Sequence, residues 1–197
     1  MVLEDHLSKP ASEEDILTAR NYQLEAFDKA RESNTIVFLE TGSGKTFIAI
    51  LLLRHYAYFF RKPSSFIAVF LVPTVVLVKQ QAKVVSSHTD LNVGLYHGNK
   101  ADFWDAATWK KEIDSCQVVL CLVFVMTPQI LLDAMRHGYI KLEIIKVIVM
   151  DECHHARGNH PYASIMKEFY HRDLSTGGCN LPRILGMTAS LIKSKCN

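Results

Sequence analysis

The sequence predicts an α/β fold in three layers, with a mostly parallel sheet carrying helices on both faces. Two patterns and one bulk property support this. Short apolar runs alternate with helical segments from Thr35 onward, as successive β-α units require. The runs are apolar at consecutive positions instead of alternate ones, as expected of strands buried on both faces. The 197 residues, 49% hydrophobic and 21% charged, suffice for one domain with its own core.

The elements follow in order. Residues 1–15 read as a flexible, polar lead-in. The pattern is helical over 13–32, with Ser12 as cap and Glu13, Glu14 and Asp15 in the first turn. A β-branched run at 35–39 is the first strand, and 46–60 the helix after it. Further strands fall at 66–72, 91–96, 118–126, 146–150 and 183–187. Helices fall at 75–86, at 101–114 with Trp104 and Trp109, at 129–137 closed by Gly138, and at 162–170. Pro63-Ser64-Ser65 and residues 175–180 read as surface turns.

Bulk properties exclude several function classes. Lys and Arg number 22 against 20 Asp and Glu, a net charge of +2, so nucleic acid can be held only by a local patch. Five cysteines (Cys116, Cys121, Cys153, Cys179 and Cys196) show no paired spacing, which favours reduced intracellular thiols over a disulfide framework. The N-terminus lacks the apolar core of a signal peptide. The longest apolar run, 118–126, is far short of a membrane span. The expectation is a soluble intracellular protein with no membrane partner.

Two segments carry chemistry. Thr41-Gly42-Ser43-Gly44-Lys45-Thr46 joins the first strand to a helix. Glycines let such a loop curl so that its N–H groups face phosphate oxygens. Lys45 would supply a positive charge for the terminal phosphates, and the Thr46 hydroxyl a ligand for Mg²⁺. Leu39 stands where the general phosphate loop has glycine, and taken alone the segment also fits a glycine-rich turn with a chance lysine. The second segment is Asp151-Glu152-Cys153-His154, at the C-terminal end of a buried strand. Carboxylates there sit at the mouth of a parallel sheet, where ligands bind. Asp151 would hold Mg²⁺ and Glu152 would activate a water; in isolation the pair also fits a charged strand cap. Cys153, His154, His155 and His160 have the wrong spacing for a usual zinc site. His155 and His160 are expected to be structural.

These two segments and Thr188-Ala189-Ser190, in that order, resemble motifs I, II and III of superfamily 2 helicases. Arg20-Asn21-Tyr22-Gln23 resembles the adenine-reading segment, Val72-Pro73-Thr74 motif Ia, and Thr127-Pro128-Gln129 motif Ib. Several stretches further resemble Dicer: Ala19-Arg20-Asn21-Tyr22-Gln23, Asn34-Thr35-Ile36, Leu39-Glu40-Thr41-Gly42, the extension of the acidic motif through His155-Ala156, and His160-Pro161-Tyr162. Phe103-Trp104-Asp105 and Glu168-Phe169-Tyr170-His171 are similar to the plant Dicer-like branch.

The resemblance implies a RecA-like P-loop NTPase domain over 16–197 that binds ATP with Mg²⁺. It places Gln23 on the base, Thr41, Gly42, Ser43, Gly44, Lys45 and Thr46 on the phosphates, and Thr46 and Asp151 on the metal. Glu152, Asp151 and Lys45 are the implied catalytic group. Pro73, Thr74, Thr127, Pro128 and Gln129 are implied to touch the RNA backbone, with His154, Thr188 and Ser190 coupling hydrolysis to RNA grip. Double-stranded RNA and a second helicase domain are the implied partners, small-RNA processing the implied context, and the nucleus the implied location. A truncated form that binds without turnover and a related duplex-RNA-sensing helicase are the alternatives. Two departures stand out. The apolar run before Thr127 is longer than the family's, with a surplus around 119–124 that must lengthen, bulge or shift the strand. Seven residues follow Ser190, so the expected second helicase domain and ribonuclease III domains lie outside this sequence, and weak ATPase activity is expected of this chain alone.

Overall fold

The computed structural model describes residues 19–60, 66–98, 107–111, 122–178 and 180–190. Six strands, β1 (Thr35–Phe38), β2 (Ile67–Leu71), β3 (Asn92–Tyr96), β4 (Leu122–Met126), β5 (Ile145–Met150) and β6 (Arg183–Thr188), form one sheet in the order β1-β6-β5-β2-β4-β3. Every neighbouring pair is parallel. Among the described residues the main helices are α1 (Asn21–Glu32), α2 (Lys45–Phe60), α3 (Val75–His88), α4 (Pro128–Arg136), α5 (Pro161–Ile165) and α6 (His171–Ser175), with a π-helical turn at Met166–Tyr170 between the last two and a short helical stretch at 107–111.

Consecutive apolar residues in β2 serve two cores. Ala68, Phe70 and Val72 pack with Ala30 of α1, Leu52 of α2 and Val78 of α3. Ile67, Val69 and Leu71 pack with Leu131 and Met135 of α4 and with Tyr162 and Ile165 of α5. Each fully buried side chain of this kind stabilises the fold by about 1.5–3 kcal/mol. Helix α2 is apolar almost all round and is buried accordingly: Ile48 through Leu53 are each no more than 2% exposed. Among the described residues no helix is long and apolar enough to cross a membrane.

The structure corrects several expectations. Strand β1 is an edge strand, so its burial is one-sided: Ile36 is 73% and Phe38 45% exposed. Among the described residues the first helix begins at Asn21, because Arg20 is extended and its N–H donates to Gln23 Oε1 at 2.9 Å. Ser12 and the acids at 13–15 lie outside the described residues, as do the lead-in, the turn at 63–65, Phe103-Trp104-Asp105, Cys116, Cys121, Cys179, Cys196 and most of the helix expected at 101–114. The helix expected at 162–170 reaches Ser175 through the π turn. That turn presents Glu168 to Arg136 in a two-pronged ion pair of 2.9 and 2.6 Å. The surplus run resolves at its C-terminal end: β4 is five residues long and in register with β2 from Val123 to Met126. Thr127 therefore follows the sheet directly; residues 118–121 lie outside the described set.

Candidate nucleotide site and its RNA-side neighbours

The strand order assembles the site. Because β6 lies between β1 and β5, the phosphate loop after β1, Thr188 at the end of β6 and Asp151 after β5 emerge side by side. The next strands, β2 and β4, bring Val72-Pro73-Thr74 and Thr127-Pro128-Gln129 together. Segments far apart in sequence thus share one edge, at the C-terminal strand ends where α/β proteins bind ligands.

The loop is held from three directions. Leu39 N–H donates to Thr188 O at 3.1 Å, tying its root to β6. Within it, Ser43 Oγ donates to Glu40 O at 2.6 Å, and Lys45 Nζ to Leu39 O at 2.8 Å and Glu40 O at 3.0 Å. From outside, Tyr22 O–H donates to Ser43 O at 2.7 Å, and Gln23 Nε2 to Ser43 O at 3.2 Å and Gly44 O at 3.4 Å. Gly44 has φ +82°, and a Cβ there would lie 2.3 Å from Gln23 Nε2. Only glycine suits that backbone and that approach. Gln23 is thus nearly buried against the loop, and it shares the lining of an open cleft of about 310 Å³ with Arg20, Gly42, Ser43, Gly44 and Phe47. Thr41 is exposed beside the loop, and Thr46 is half-buried in the first turn of α2.

Asp151 is 9% exposed, and its N–H donates to Leu71 O at 2.9 Å. Burial pushes its carboxyl upward, and the Glu152 charge adds to this; the Glu152 N–H and the Lys45 ammonium pull the other way. Glu152 is the one non-glycine with positive φ among the described residues, at +49°. Such a conformation costs about 1–3 kcal/mol and gathers at functional sites. It aims Glu152 Oε2 to within 3.1 Å of His154 Nδ1, which also lies 2.9 Å from Thr188 Oγ1. Thr188 Oγ1 donates to Ser190 O and accepts from Ser190 N–H, both at 3.1 Å. The expected coupling residues His154, Thr188 and Ser190 are therefore linked by hydrogen bonds, with Glu152 beside His154.

The neighbouring cysteine and histidines have other duties. Burial pushes the Cys153 thiol up to about 11, so it stays protonated. Its Sγ would lie 3.0 Å from a Cβ on Gly186. His160 Nδ1 accepts the Tyr162 N–H at 3.2 Å and caps α5. Among the described residues no group of three or more His, Cys, Asp and Glu is placed to hold a metal ion.

On the other strands, Thr74 is exposed and caps α3 through Leu77 N–H at 3.4 Å, with Pro73 half-buried before it. Thr127 is half-buried before α4, Pro128 is buried at the helix start, and Gln129 is exposed and donates to Asp133 Oδ1 at 2.8 Å. Sequence reasoning did not single out Tyr22, Phe47 or Tyr162 for the site. Tyr22 lies inside the adenine-reading segment, but the target of its hydroxyl, Ser43, is 21 positions away; the buried Tyr162 hydroxyl reaches across 91.

Residues 20–197 match the DEAD/DEAH box helicase family. The chain belongs to that family. It is 62% identical over 178 residues to Endoribonuclease Dicer homolog 2 of Arabidopsis thaliana, covering 90% of this chain and 12% of that protein. Endoribonuclease Dicer homolog 1 of the same plant is 44% identical over 197 residues, with 98% and 10% coverage. The chain thus spans only a small fraction of the length of the Dicer homologues it matches. Among solved structures, the helicase domain of Pyrococcus furiosus Hef aligns with a TM-score of 0.70 and 27% identity over 92% of this chain and 35% of that one. The all-parallel sheet is accordingly the RecA-like fold, and the chain is a helicase domain of the Dicer-like kind within the DEAD/DEAH box family.

Proposed function

We propose that this domain binds ATP with Mg²⁺ and, together with a second helicase domain, hydrolyses it in step with its grip on double-stranded RNA in small-RNA processing. The observation that carries the proposal is the convergence of the glycine loop, Thr188 and the Asp151–Glu152 pair on one sheet edge. The residues fit the ligand. Thr46 and Asp151 offer hard oxygen donors of the kind Mg²⁺ takes, and a buried carboxylate beside a second one gains from a cation. When bound, the metal would neutralise charge on the phosphates.

The chain's own residues divide the remaining work. Gln23 would face the base; Thr41 through Lys45 would cradle the phosphates with N–H groups and the lysine ammonium. Glu152 would orient the attacking water and take its proton. Pro73, Thr74, Thr127, Pro128 and Gln129 would meet the RNA backbone, and the chain His154–Thr188–Ser190 would link them to Glu152. An arginine from the second helicase domain would complete the opposite wall, a contribution on the order of 10³–10⁵ in rate in related enzymes; the 197 residues alone should therefore turn over slowly. Nuclear action is proposed from the same plant Dicer-like kinship. The test is titration with a fluorescent ATP analogue in Mg²⁺. Lys45→Ala should weaken binding in a domain that stays folded, its melting lowered only by the loss of the bonds to Leu39 O and Glu40 O; equal affinities would remove the assignment.

A further inference from the structure

A row of backbone hydrogen bonds joins the motif roots. Val72 N–H donates to Met126 O at 3.0 Å, and Asp151 N–H to Leu71 O at 2.9 Å. The turns at Pro73-Thr74 and Thr127-Pro128 hang directly from this row, and the acid pair closes its other end. Tyr162, fully buried at 0% exposure, sits beneath it. Its hydroxyl lies 2.7 Å from Asp151 O and 3.1 Å from Leu71 O. Facing two carbonyl oxygens, which can only accept, the hydroxyl acts as a donor. One phenol thus fixes the peptide of Asp151 against the last residue of β2, two positions before Pro73. Its ring is anchored in the core beside α4, and its backbone N–H is held by His160.

We infer that Tyr162 is a positioning residue that couples the Val72-Pro73-Thr74 turn to Asp151, so that a ligand pulling on the turn shifts the carboxylate. The inference rests on the proposed function, since it names the route by which RNA contact reaches the nucleotide acids. Such coupling requires this hydrogen-bonded junction to have two arrangements, bonded and released, that either site can bias. Losing the hydroxyl leaves Asp151 O without this donor while the ring still fills its place.

The test measures coupling, not activity. Affinity of the whole chain for a fluorescent ATP analogue in Mg²⁺ is determined without and with saturating blunt RNA duplex, and the ratio is the coupling factor. A factor on the order of 5–150 is expected of wild type. Tyr162→Phe should lower it by roughly 2- to 30-fold; because the factor is a ratio, any change in analogue affinity without RNA cancels from it. Ile165→Val, which trims the same buried helix without touching the hydroxyl, should keep the wild-type factor and controls for simple loosening. A wild-type factor retained in Tyr162→Phe, or lost equally in Ile165→Val, overturns the inference, as does a wild-type factor of one. Failure of wild type to bind the analogue at all refutes the proposed function instead.

Discussion

Replacing Gly44 with alanine tests the architecture of the loop. At φ +82° an alanine sits in the left-handed region, and its Cβ would lie 2.3 Å from Gln23 Nε2. The backbone strain costs about 1–2 kcal/mol. The collision must also turn the Gln23 amide away from Ser43 O and Gly44 O, at about 0.5–1.5 kcal/mol per bond. Gly44→Ala should therefore destabilise the domain by about 2–5 kcal/mol. In a domain of this size that lowers the melting temperature by roughly 4–20 °C. In a Gln23→Ala background the collision is gone, and the same substitution should cost only the strain, about 1–2 kcal/mol. Thermal and denaturant melts of the four proteins give the interaction energy directly. If the two substitutions add to within about 0.3–0.5 kcal/mol, the claim that Gln23 braces the phosphate loop is refuted.

Three further predictions concern the acids. In a longer chain that includes the second helicase domain, Glu152→Gln should keep ATP binding and reduce turnover by about 10²–10⁴; retained turnover in a phosphate-release assay would mean that another group activates the water. Asp151→Asn should melt higher than wild type at neutral pH without Mg²⁺. Its carboxyl is raised by burial, so ionisation opposes folding. The penalty is absent below the ordinary carboxylate range, where folded and unfolded states both carry the proton, and grows as pH rises toward the raised value. The melting gap should close in acid, and a gap constant across pH would contradict burial of the charge as its cause. Finally, purified chain incubated with Mg²⁺ and long duplex RNA is expected to leave the RNA uncut; discrete short products persisting through further purification would overturn this.

Much of the architecture was legible because it depends on local patterns. The unbroken apolar runs announce the buried parallel strands, the all-apolar stretch of α2 announces a central helix, and Gly138 ends α4 with φ +73°. The glycine loop and the acid pair were legible from residue types at strand ends, and Thr188 through the resemblance to superfamily 2 helicases. What escaped depends on which strand neighbours which. Ile36 and Phe38 read as core, but β1 lies at the sheet edge, and no local signal says so. Tyr162 falls in the helix expected at 162–170, while its hydroxyl answers the carbonyls of Leu71, at the end of β2, and of Asp151, just after β5. The start of α1 falls at Asn21 because Gln23 folds back to the Arg20 N–H, a local bond less conspicuous in the sequence than the acidic stretch at 13–15. The π turn has no sequence signature at all; it carries Glu168 to Arg136, and Tyr170 to where its hydroxyl oxygen accepts from Asn34 Nδ2 at 2.6 Å.

The central claim is that three sequence-distant segments form one nucleotide site. Amide hydrogen exchange of the domain, without and with Mg²⁺ and ATP, tests it most directly. Exchange should slow together at residues 42–46, at 151–153 and around Thr188, with the bracing residues Tyr22 and Gln23 following. Protection confined to one of these segments, or appearing instead at the opposite end of the sheet around Glu143 and Asp173, would contradict the account.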